Sequence, residues 1–315
     1  MTKKTKIFKR QLYLTDGGLE TTLIFHQGIT LNLFSAFELL NNNAGIKALR
    51  EYYMPYLQLA ARYGTGFILE TPTWRASPDW ATKLGYSIDQ LISINKQAVN
   101  FIEDLAKEFR HDGLQILISG AIGPRGDGYK VESVMTPIES QSYHEMQINV
   151  FASAGADLIE ALTMNYSEEA IGIVRAAESA SVPAVISFTV ETNGKLPNGE
   201  SLKDAIEKTD KSTGNYADYF MINCAHPEHF IPTLMDAGDW KKRIKGIRAN
   251  ASTKSHAELD ESVNLDPGDK NLLAQGYLQL RTLLPELKVV GGCCGTDHGH
   301  IQQICEALLD GEKPS

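Results

Sequence analysis

Residues 288–296 read Lys288-Val289-Val290-Gly291-Gly292-Cys293-Cys294-Gly295-Thr296, a short apolar run that ends in glycines and two adjacent cysteines. Short apolar or β-branched runs bounded by turn residues are typical of buried strands. With strand 288–293, eight such runs alternate with amphipathic segments; the other seven are 13–16, 65–71, 115–120, 157–163, 184–189, 219–224 and 244–250. This order predicts an α/β fold, a (β/α)8 TIM barrel, as a single domain over residues 1–315.

Three of the intervening segments carry helix start signals. Apolar residues recur at three- and four-residue spacing after Ser87, which predicts a helix with one apolar face. Thr136-Pro137-Ile138-Glu139 has the pattern of a capping box with proline at the first helical position. A further helix is predicted after Ser167, where two glutamates complement the positive end of the helix dipole.

Composition and charge exclude several classes of protein. The chain has 315 residues, 43% of them hydrophobic, which is enough for a sizeable core. Thirty basic and 39 acidic residues give a net charge of −9, which argues against nucleic acid and anionic membranes as partners. Residues 1–10 are basic but lack the apolar stretch of a secretory signal, and no run of about 18 apolar residues occurs. We therefore expect a cytoplasmic protein with reduced thiols, in which clustered cysteines indicate metal binding or catalysis.

Polar residues follow the predicted strands. In a (β/α)8 barrel the active residues lie at the C-terminal ends of the strands and in the loops after them. We therefore expect one site to be surrounded by Asp16-Gly17-Gly18, Glu70-Thr71, Arg75, Gly123-Pro124-Arg125-Gly126, Glu160, Thr163, Ser187-Phe188-Thr189, Asn223-Cys224, Arg248-Ala249-Asn250 and Cys293-Cys294.

Three of the four cysteines, Cys224, Cys293 and Cys294, lie at predicted strand ends. Adjacent strand residues point to opposite sides, but the flanking glycines allow a bend that turns both Cys293 and Cys294 to one metal. Three thiolates can hold one Zn²⁺ tetrahedrally and leave its fourth position open, as in catalytic zinc sites. The alternative is that these are small buried residues on a tight turn. Cys305, in the last predicted helix, is interpreted as a packing residue.

Other interpretations of this cluster are open. His226 and His298 are rival ligands, because each lies within four residues of a cysteine, although each could instead belong to a loop or a helix start. The glycines alone would also suit a phosphate site. A redox protein that cycles a Cys293–Cys294 disulfide is a further class, although adjacent cysteines form a strained ring.

Two further features suit an amino-acid ligand. Asp16-Gly17-Gly18 offers a carboxylate and two adjacent amides, although a tight turn after the first strand explains it equally well. Glu160 is a carboxylate in an otherwise apolar run, where burial is costly without a partner. That partner is either a substrate ammonium or a basic side chain on another strand.

Taken in order, these motifs resemble the zinc-dependent homocysteine S-methyltransferase family over nearly the whole chain. The resemblance rests on Asp16-Gly17-Gly18, residues 71–77, Gly123-Pro124, Ser187-Phe188-Thr189, Asn223-Cys224, Asn250 and Gly291-Gly292-Cys293-Cys294. It implies that Cys224, Cys293 and Cys294 hold Zn²⁺, that the sulfur of homocysteine takes the open position, and that methionine is the product. The predicted substrate-binding residues are Asp16, Gly17, Gly18, Thr71, Glu160 and Asn223.

The implied chemistry needs no serine or histidine nucleophile. Bound Zn²⁺ deprotonates a coordinating thiol, and attack on a methyl group of a cationic sulfur or nitrogen depends on alignment of the reactants. S-methylmethionine is the favoured donor, with S-adenosylmethionine and betaine as alternatives. Trp74 and Tyr129 are candidates to face a cationic donor, or else to pack within the core and loops.

The chain departs from the family pattern at Leu162, where members usually carry a glutamate late in strand four. Glu160 lies two residues earlier, on the same face of the strand, and one interpretation is that it replaces the family glutamate one step deeper in the barrel. Alternatively, the pocket for the amino group has changed. The acceptor would then be a different thiol, or the barrel would bind an amino acid without catalysis.

Overall fold

The computed structural model describes residues 8–110, 113–236 and 238–309. The strands are β1 Tyr13–Leu14, β2 Gly66–Glu70, β3 Gln115–Ile122, β4 Leu158–Met164, β5 Ala184–Phe188, β6 Tyr219–Asn223, β7 Ile244–Ala249 and β8 Val289–Gly292. They form a closed parallel barrel in which each strand pairs with the next and β8 pairs with β1. The predicted (β/α)8 barrel is confirmed, and the strand bounds agree to within two residues. Most of the basic segment 1–10 and the end of the predicted domain lie outside the described residues.

Helices follow the strands and surround the barrel. They are α1 Leu19–Thr21, α2 Asn43–Tyr63, α3 Pro78–Lys83, α4 Ile88–Arg110, α5 Pro137–Ala154, α6 Ser167–Ser179, α7 Leu202–Ser212, α8 Pro227–Leu234, α9 His256–Asp260, α10 Lys270–Leu283 and α11 His298–Leu309. A π-helical turn covers Thr22–His26, and 3-10 turns cover Asn32–Phe34, Ala36–Asn41 and Asp239–Arg243. Within the described ranges, no helix has the length and apolar character needed to cross a membrane.

The three predicted helix starts are confirmed, two of them with side-chain caps. The amide of Gln90 donates to Ser87 Oγ at 3.3 Å, one residue before α4 begins. At α5 the capping box is complete, because Glu139 N donates to Thr136 Oγ1 and Thr136 N donates to the Glu139 carboxylate. Two acidic residues occupy the first turn of α6.

The core has two parts. The larger packs between the barrel and the helices, and the smaller fills the barrel interior with Tyr13, Ile68, Ala121, Leu158, Leu162, Val185, Tyr219, Met221 and Val289. Phe8 packs against this interior cluster, with ring centroids 5.1 Å from Tyr13 and 5.3 Å from Tyr219. The barrel is therefore a packed core whose C-terminal mouth carries the cavity described below.

Candidate active site

Three thiols meet at the mouth of the barrel. Cys224 directly follows β6, and Cys293 and Cys294 directly follow β8. The Sγ atom of Cys224 lies 2.9 Å from that of Cys293 and 3.6 Å from that of Cys294, and all three sulfurs lie within 4.8 Å of one another. Three soft sulfur donors at one point match the ligand set of a tetrahedral zinc with one further position. The predicted ligands are thus brought together.

The backbone of Cys224 is held in an unusual conformation. Its φ is 59°, in the left-handed region that few residues other than glycine adopt. Its carbonyl accepts from Asn250 Nδ2 at 3.0 Å and lies 2.6 Å from His256 Nε2, while its amide donates to the Arg248 carbonyl. These contacts offset the strain, of order 1–3 kcal/mol, and fix the direction of the Cys224 thiol.

Two glycines allow the turn after β1 to approach the cysteine pair. A Cβ atom at Gly18 would lie 2.7 Å from the carbonyl oxygen of Cys293, closer than van der Waals contact permits. Gly295 has a φ of +79°, which bends the chain directly after Cys294. Neighbouring residues of one strand end can therefore both face the metal position.

The hydroxyl of Tyr129 lies against the thiols, 3.1 Å from Cys224 Sγ and 3.7 Å from Cys294 Sγ. Its ring stacks on His256 with centroids 4.0 Å apart. Among the thiols, the pKa of Cys293 is held well below its ordinary value because its two cysteine neighbours donate to it and Arg248 attracts its charge. The sequence indicated Tyr129 as a candidate for cation–π contact, but it did not indicate this contact of the hydroxyl with the sulfurs.

Asn223 and Thr71 line the cavity, but their polar atoms are already used. Asn223 Oδ1 accepts from the Thr163 amide at 2.9 Å and from Ser187 Oγ at 2.6 Å, and Asn223 Nδ2 donates to Thr163 Oγ1 at 2.8 Å. Thr71 Oγ1 accepts from the Ala121 amide at 2.9 Å. Both side chains hold strand ends together beside the thiols.

A buried charged layer lies beneath the thiols and consists of Asp16, Glu70, Glu160 and Arg248. Arg248 donates to the carboxylates of Asp16 and Glu70, and its Nε donates to the Gly292 carbonyl at 3.1 Å. Asp16 also accepts from Tyr52 OH at 2.9 Å.

The amides of the Asp16-Gly17-Gly18 turn are also occupied. Gly18 N donates to the Thr296 carbonyl at 3.1 Å, and Gly17 N donates to Tyr56 OH. The protein itself therefore satisfies the groups that the sequence suggested for both ends of an amino acid.

The structure places Glu160, the predicted partner of a substrate ammonium, outside the lining of the cavity. Its side chain is fully buried, accepts from Ser119 Oγ at 3.0 Å and Tyr219 OH at 3.4 Å, and shares a hydrogen bond with Glu70. Burial raises the pKa of Glu160. Leu162, two residues later on the same face of β4, lines the cavity instead. Glu160 is thus covered from above and has protein partners, Arg248 among its charged neighbours.

The rival ligands lie elsewhere. His226 caps α8, where its Nδ1 accepts from the Glu228 amide, and burial lowers the pKa of His226 to about 4. His298 is exposed at the first residue of α11. Among the described residues, the group that could share a metal consists of the three cysteines alone. Cys305 is buried in α11, as expected for a packing residue.

A cavity of about 440 Å³ opens above the thiols, within the range of small-molecule sites. Its apolar lining includes Ile24, Phe25, Phe34, Trp74, Leu162 and Leu265. Glu20 and Arg75 also line it. The sequence placed Arg75 only at a strand end and did not single out Glu20, although its position two residues after Gly18 puts it at the same mouth.

Comparisons with known proteins agree with this geometry. Residues 13–308 match the family model described as homocysteine S-methyltransferase. Homocysteine S-methyltransferase 1 of Arabidopsis thaliana is 26% identical over 94% of this chain and 93% of its own length. Selenocysteine Se-methyltransferase of Brassica oleracea var. italica is 23% identical over 94% of this chain and 88% of its own length.

A solved structure shares the fold. The metallated form of the homocysteine methyltransferase MmuM from Escherichia coli superposes with a TM-score of 0.73 at 19% identity, covering 94% of this chain and 96% of that one. Since the family model spans nearly all of the described barrel, this chain belongs to the homocysteine S-methyltransferase family, whose enzymes methylate homocysteine to methionine.

Proposed function

We propose that this chain is a zinc-dependent S-methyltransferase that moves a methyl group from a sulfonium or ammonium donor to the thiolate of homocysteine. The observation that carries the proposal is the set of three cysteine Sγ atoms within 4.8 Å of one another below a cavity. Cys224, Cys293 and Cys294 would hold the zinc, and Cys₃ sites with one further position are typical of catalytic rather than structural zinc. The metallated form of MmuM supports this assignment.

When bound, zinc would supply a Lewis acid that keeps the acceptor thiol deprotonated at neutral pH. The residues of the chain position the reactants. Asn250 and His256 hold the carbonyl of Cys224, and Asn223 ties β4, β5 and β6 together next to Cys293. Alignment of this kind accounts for several kcal/mol of the barrier in bimolecular reactions.

The transfer itself needs little beyond alignment and exclusion of water. The acceptor sulfur forms a bond to the methyl carbon while the bond from that carbon to the cationic donor atom breaks. The bonding pair stays on the donor, which leaves as a neutral thioether or amine. The apolar lining around Trp74, Phe34 and Leu162 removes water from the cationic donor and so favours a step in which its charge is lost.

S-methylmethionine is the favoured donor, and S-adenosylmethionine and betaine are the alternatives. A different acceptor thiol or selenol is the second candidate. Leu162 favours it, since the strand-four position that is usually acidic in the family is apolar here, and so does the relative named selenocysteine Se-methyltransferase. Both candidates use small-molecule substrates in a reducing compartment, for which we propose the cytoplasm.

The test begins with zinc per chain and free thiols, counted on the same reduced sample. About one zinc per chain, removable by chelator together with activity, is expected. Methyl transfer from each donor to homocysteine is then followed by mass spectrometry, with selenocysteine as the competing acceptor. Absence of metal with four reduced thiols would contradict the mechanism. Tight amino-acid binding without turnover would indicate a non-catalytic binding barrel.

A further inference from the structure

Two oppositely charged side chains, Glu20 and Arg75, line the cavity. Within the protein, Arg75 contacts two tryptophan rings and lies near the carboxylate of Asp127. The hydrogen bond that the Glu20 carboxylate accepts comes from its own backbone amide. Arg75 donates one hydrogen bond, from Nη1 to the Gly126 carbonyl at 3.0 Å, and its Nε has no partner. Neither side chain forms an ion pair with any residue that the structure describes, including each other. Burial raises the pKa of Glu20 to about 7, and a ligand cation at this carboxylate would favour its charged form. The unpartnered Nε of Arg75 is available to a ligand.

Arg75 is fixed in place before a ligand arrives. It is 7% exposed, and its guanidinium carbon lies 4.1 Å from the ring centroid of Trp74 and 3.7 Å from that of Trp80. Burial lowers the pKa of Arg75 to about 10, so the group stays charged at neutral pH. A desolvated, planar guanidinium held between two rings is well suited to a carboxylate, because its donors form a rigid fork.

Glu20 is the corresponding acid on the thiol side of the cavity. Glu20 lies two residues after Gly18, in α1. The charged groups near enough to influence its ionisation are Cys293, Asp16 and Arg248. Other acids at this depth have partners: Asp16 and Glu70 are bound by Arg248, and Asp127 accepts from the amides of Tyr129 and Lys130. Asp260 also lines the cavity, but its charged neighbours are Asp127, Lys130 and His256. Among the described residues, Glu20 is the acid without an ion pair whose charged neighbours include the thiol of Cys293.

We propose that Glu20 and Arg75 form a subsite for the zwitterionic head group of an α-amino acid, with Glu20 facing the ammonium and Arg75 facing the carboxylate. The inference deepens the proposed function and rests on it, because homocysteine, methionine and S-methylmethionine all carry this head group. The subsite also supplies an acid for the substrate ammonium where the acids expected from the family pattern do not. Position 162 is a leucine, and Asp16 is paired with Arg248.

The test measures ligand binding to the zinc-loaded protein by calorimetry, with L-methionine, N-acetyl-L-methionine and L-methionine methyl ester as probes. The wild-type protein should bind L-methionine about 10-fold or more tighter than either blocked analogue, as expected for one charge-assisted hydrogen bond. Glu20→Gln should weaken L-methionine about 10-fold and lose the discrimination against the N-acetyl analogue. Arg75→Gln should lose the discrimination against the methyl ester.

Matched controls separate the subsite from general loss of charge or fold. Glu51→Gln and Arg50→Gln make the same charge changes on exposed positions of α2 and should leave all three affinities unchanged. Arg75→Lys keeps the charge and should restore part of the discrimination against the ester, which covers the case in which Arg75→Gln does not fold.

Retention of the wild-type discrimination in both Glu20→Gln and folded Arg75 variants would overturn the subsite. A raised KM for homocysteine in the variants assigns the head group to the acceptor, and a raised KM for S-methylmethionine assigns it to the donor; either supports the subsite. Head-group discrimination without methyl transfer would instead defeat the proposed function and leave the subsite standing.

Discussion

The thiol cluster at the mouth and the charged layer beside it come from different strands of one barrel, and their polar atoms are satisfied differently. The thiols follow β6 and β8, whereas the charged layer comes from β1, β2, β4 and β7. In the charged layer, Arg248 holds Asp16 and Glu70, and Glu160 is held by Ser119 and Tyr219. The sulfurs contact mainly one another and the hydroxyl of Tyr129. Buried polar groups are normally paired. The protein itself satisfies Arg248 and its acids, although Asp16, Glu70 and Arg248 also line the cavity, whereas the three thiols form a group that could hold a metal.

The largest expected effect comes from removing a thiol. Cys224→Ser, Cys293→Ser and Cys294→Ser should each lose most zinc and at least about 100-fold in activity, more than the 10–100-fold typical of outer-shell partners. Zinc is measured by atomic absorption after dialysis. Cys305→Ser, in α11, is the matched control and should keep its metal. Full zinc retention in any of the three variants would remove that residue from the ligand set.

Breaking the charged layer should cost folding stability instead. Above about pH 8, where Asp16 and Glu70 are both ionised, Arg248→Met leaves two buried carboxylates without their cation, which should lower the free energy of unfolding by about 3–5 kcal/mol. Urea denaturation measures this. The control is Arg50→Met, whose ion pair with Glu108 is about half exposed and should contribute less than about 1 kcal/mol. Equal losses in the two variants would contradict the distinction between buried and surface pairs.

A side chain that holds the backbone of a thiol should have an intermediate effect. Asn250→Ala removes the hydrogen bond to the Cys224 carbonyl and should weaken zinc binding by about 10-fold, as for other outer-shell partners. Competition with a chromogenic chelator measures the affinity. Asn193→Ala, on an exposed turn, should bind zinc like the wild-type protein. Unchanged affinity in Asn250→Ala would mean that the left-handed backbone of Cys224 is held without that bond.

The smallest effect is expected for Glu160→Gln. Burial raises the pKa of Glu70 to about 8 and also raises that of its neighbour Glu160. The folded protein therefore holds protons that the unfolded chain has released, and its free energy of unfolding falls as pH rises from about 4.5 to about 8. The Glu160→Gln substitution places a neutral amide beside Glu70 instead of an acidic neighbour. The free energy of unfolding of the variant should therefore fall less steeply with pH than that of the wild-type protein.

Urea denaturation at about pH 5.5 and about pH 8 measures how steeply the free energy of unfolding falls with pH in each protein. At neutral pH the free energies of unfolding of the variant and the wild-type protein should differ by less than about 1 kcal/mol. The KM for the acceptor should also stay within about twofold, because Glu160 does not reach the cavity. A strongly raised KM would return Glu160 to the role that the sequence suggested.

The barrel and the thiol cluster were predictable because both depend on local patterns. Strand period, helix caps and the flanking glycines are visible in short segments, and a closed barrel necessarily brings the ends of β6 and β8 to one mouth. The pairing of side chains was not predictable. Arg248 lies 178 residues from Glu70 and 232 from Asp16, and nothing local to these residues indicates that the three satisfy one another.

The same limit explains Glu160, Glu20 and Tyr129. The period of β4 correctly put Glu160 on the inner face, but depth along the barrel depends on the register of all eight strands, which buries Glu160 below Leu162. Glu20 lies in the short helix α1 after β1, and Tyr129 lies in the loop after β3. Their side-chain directions follow the conformation of these connections. The prediction therefore holds for which strand ends form the mouth and fails for which acids are left to bind a ligand.

The position of the cysteine pair also sets the order in which the protein matures. The donors come from β6 and β8, and β8 is the strand that closes the barrel between β7 and β1. As a ribosome delivers the chain, Cys224 emerges with a single thiol and no second donor within reach. If the three cysteines hold a metal as proposed, full affinity requires closure of the barrel, and a chain arrested before its eighth strand would lack two of the three donors.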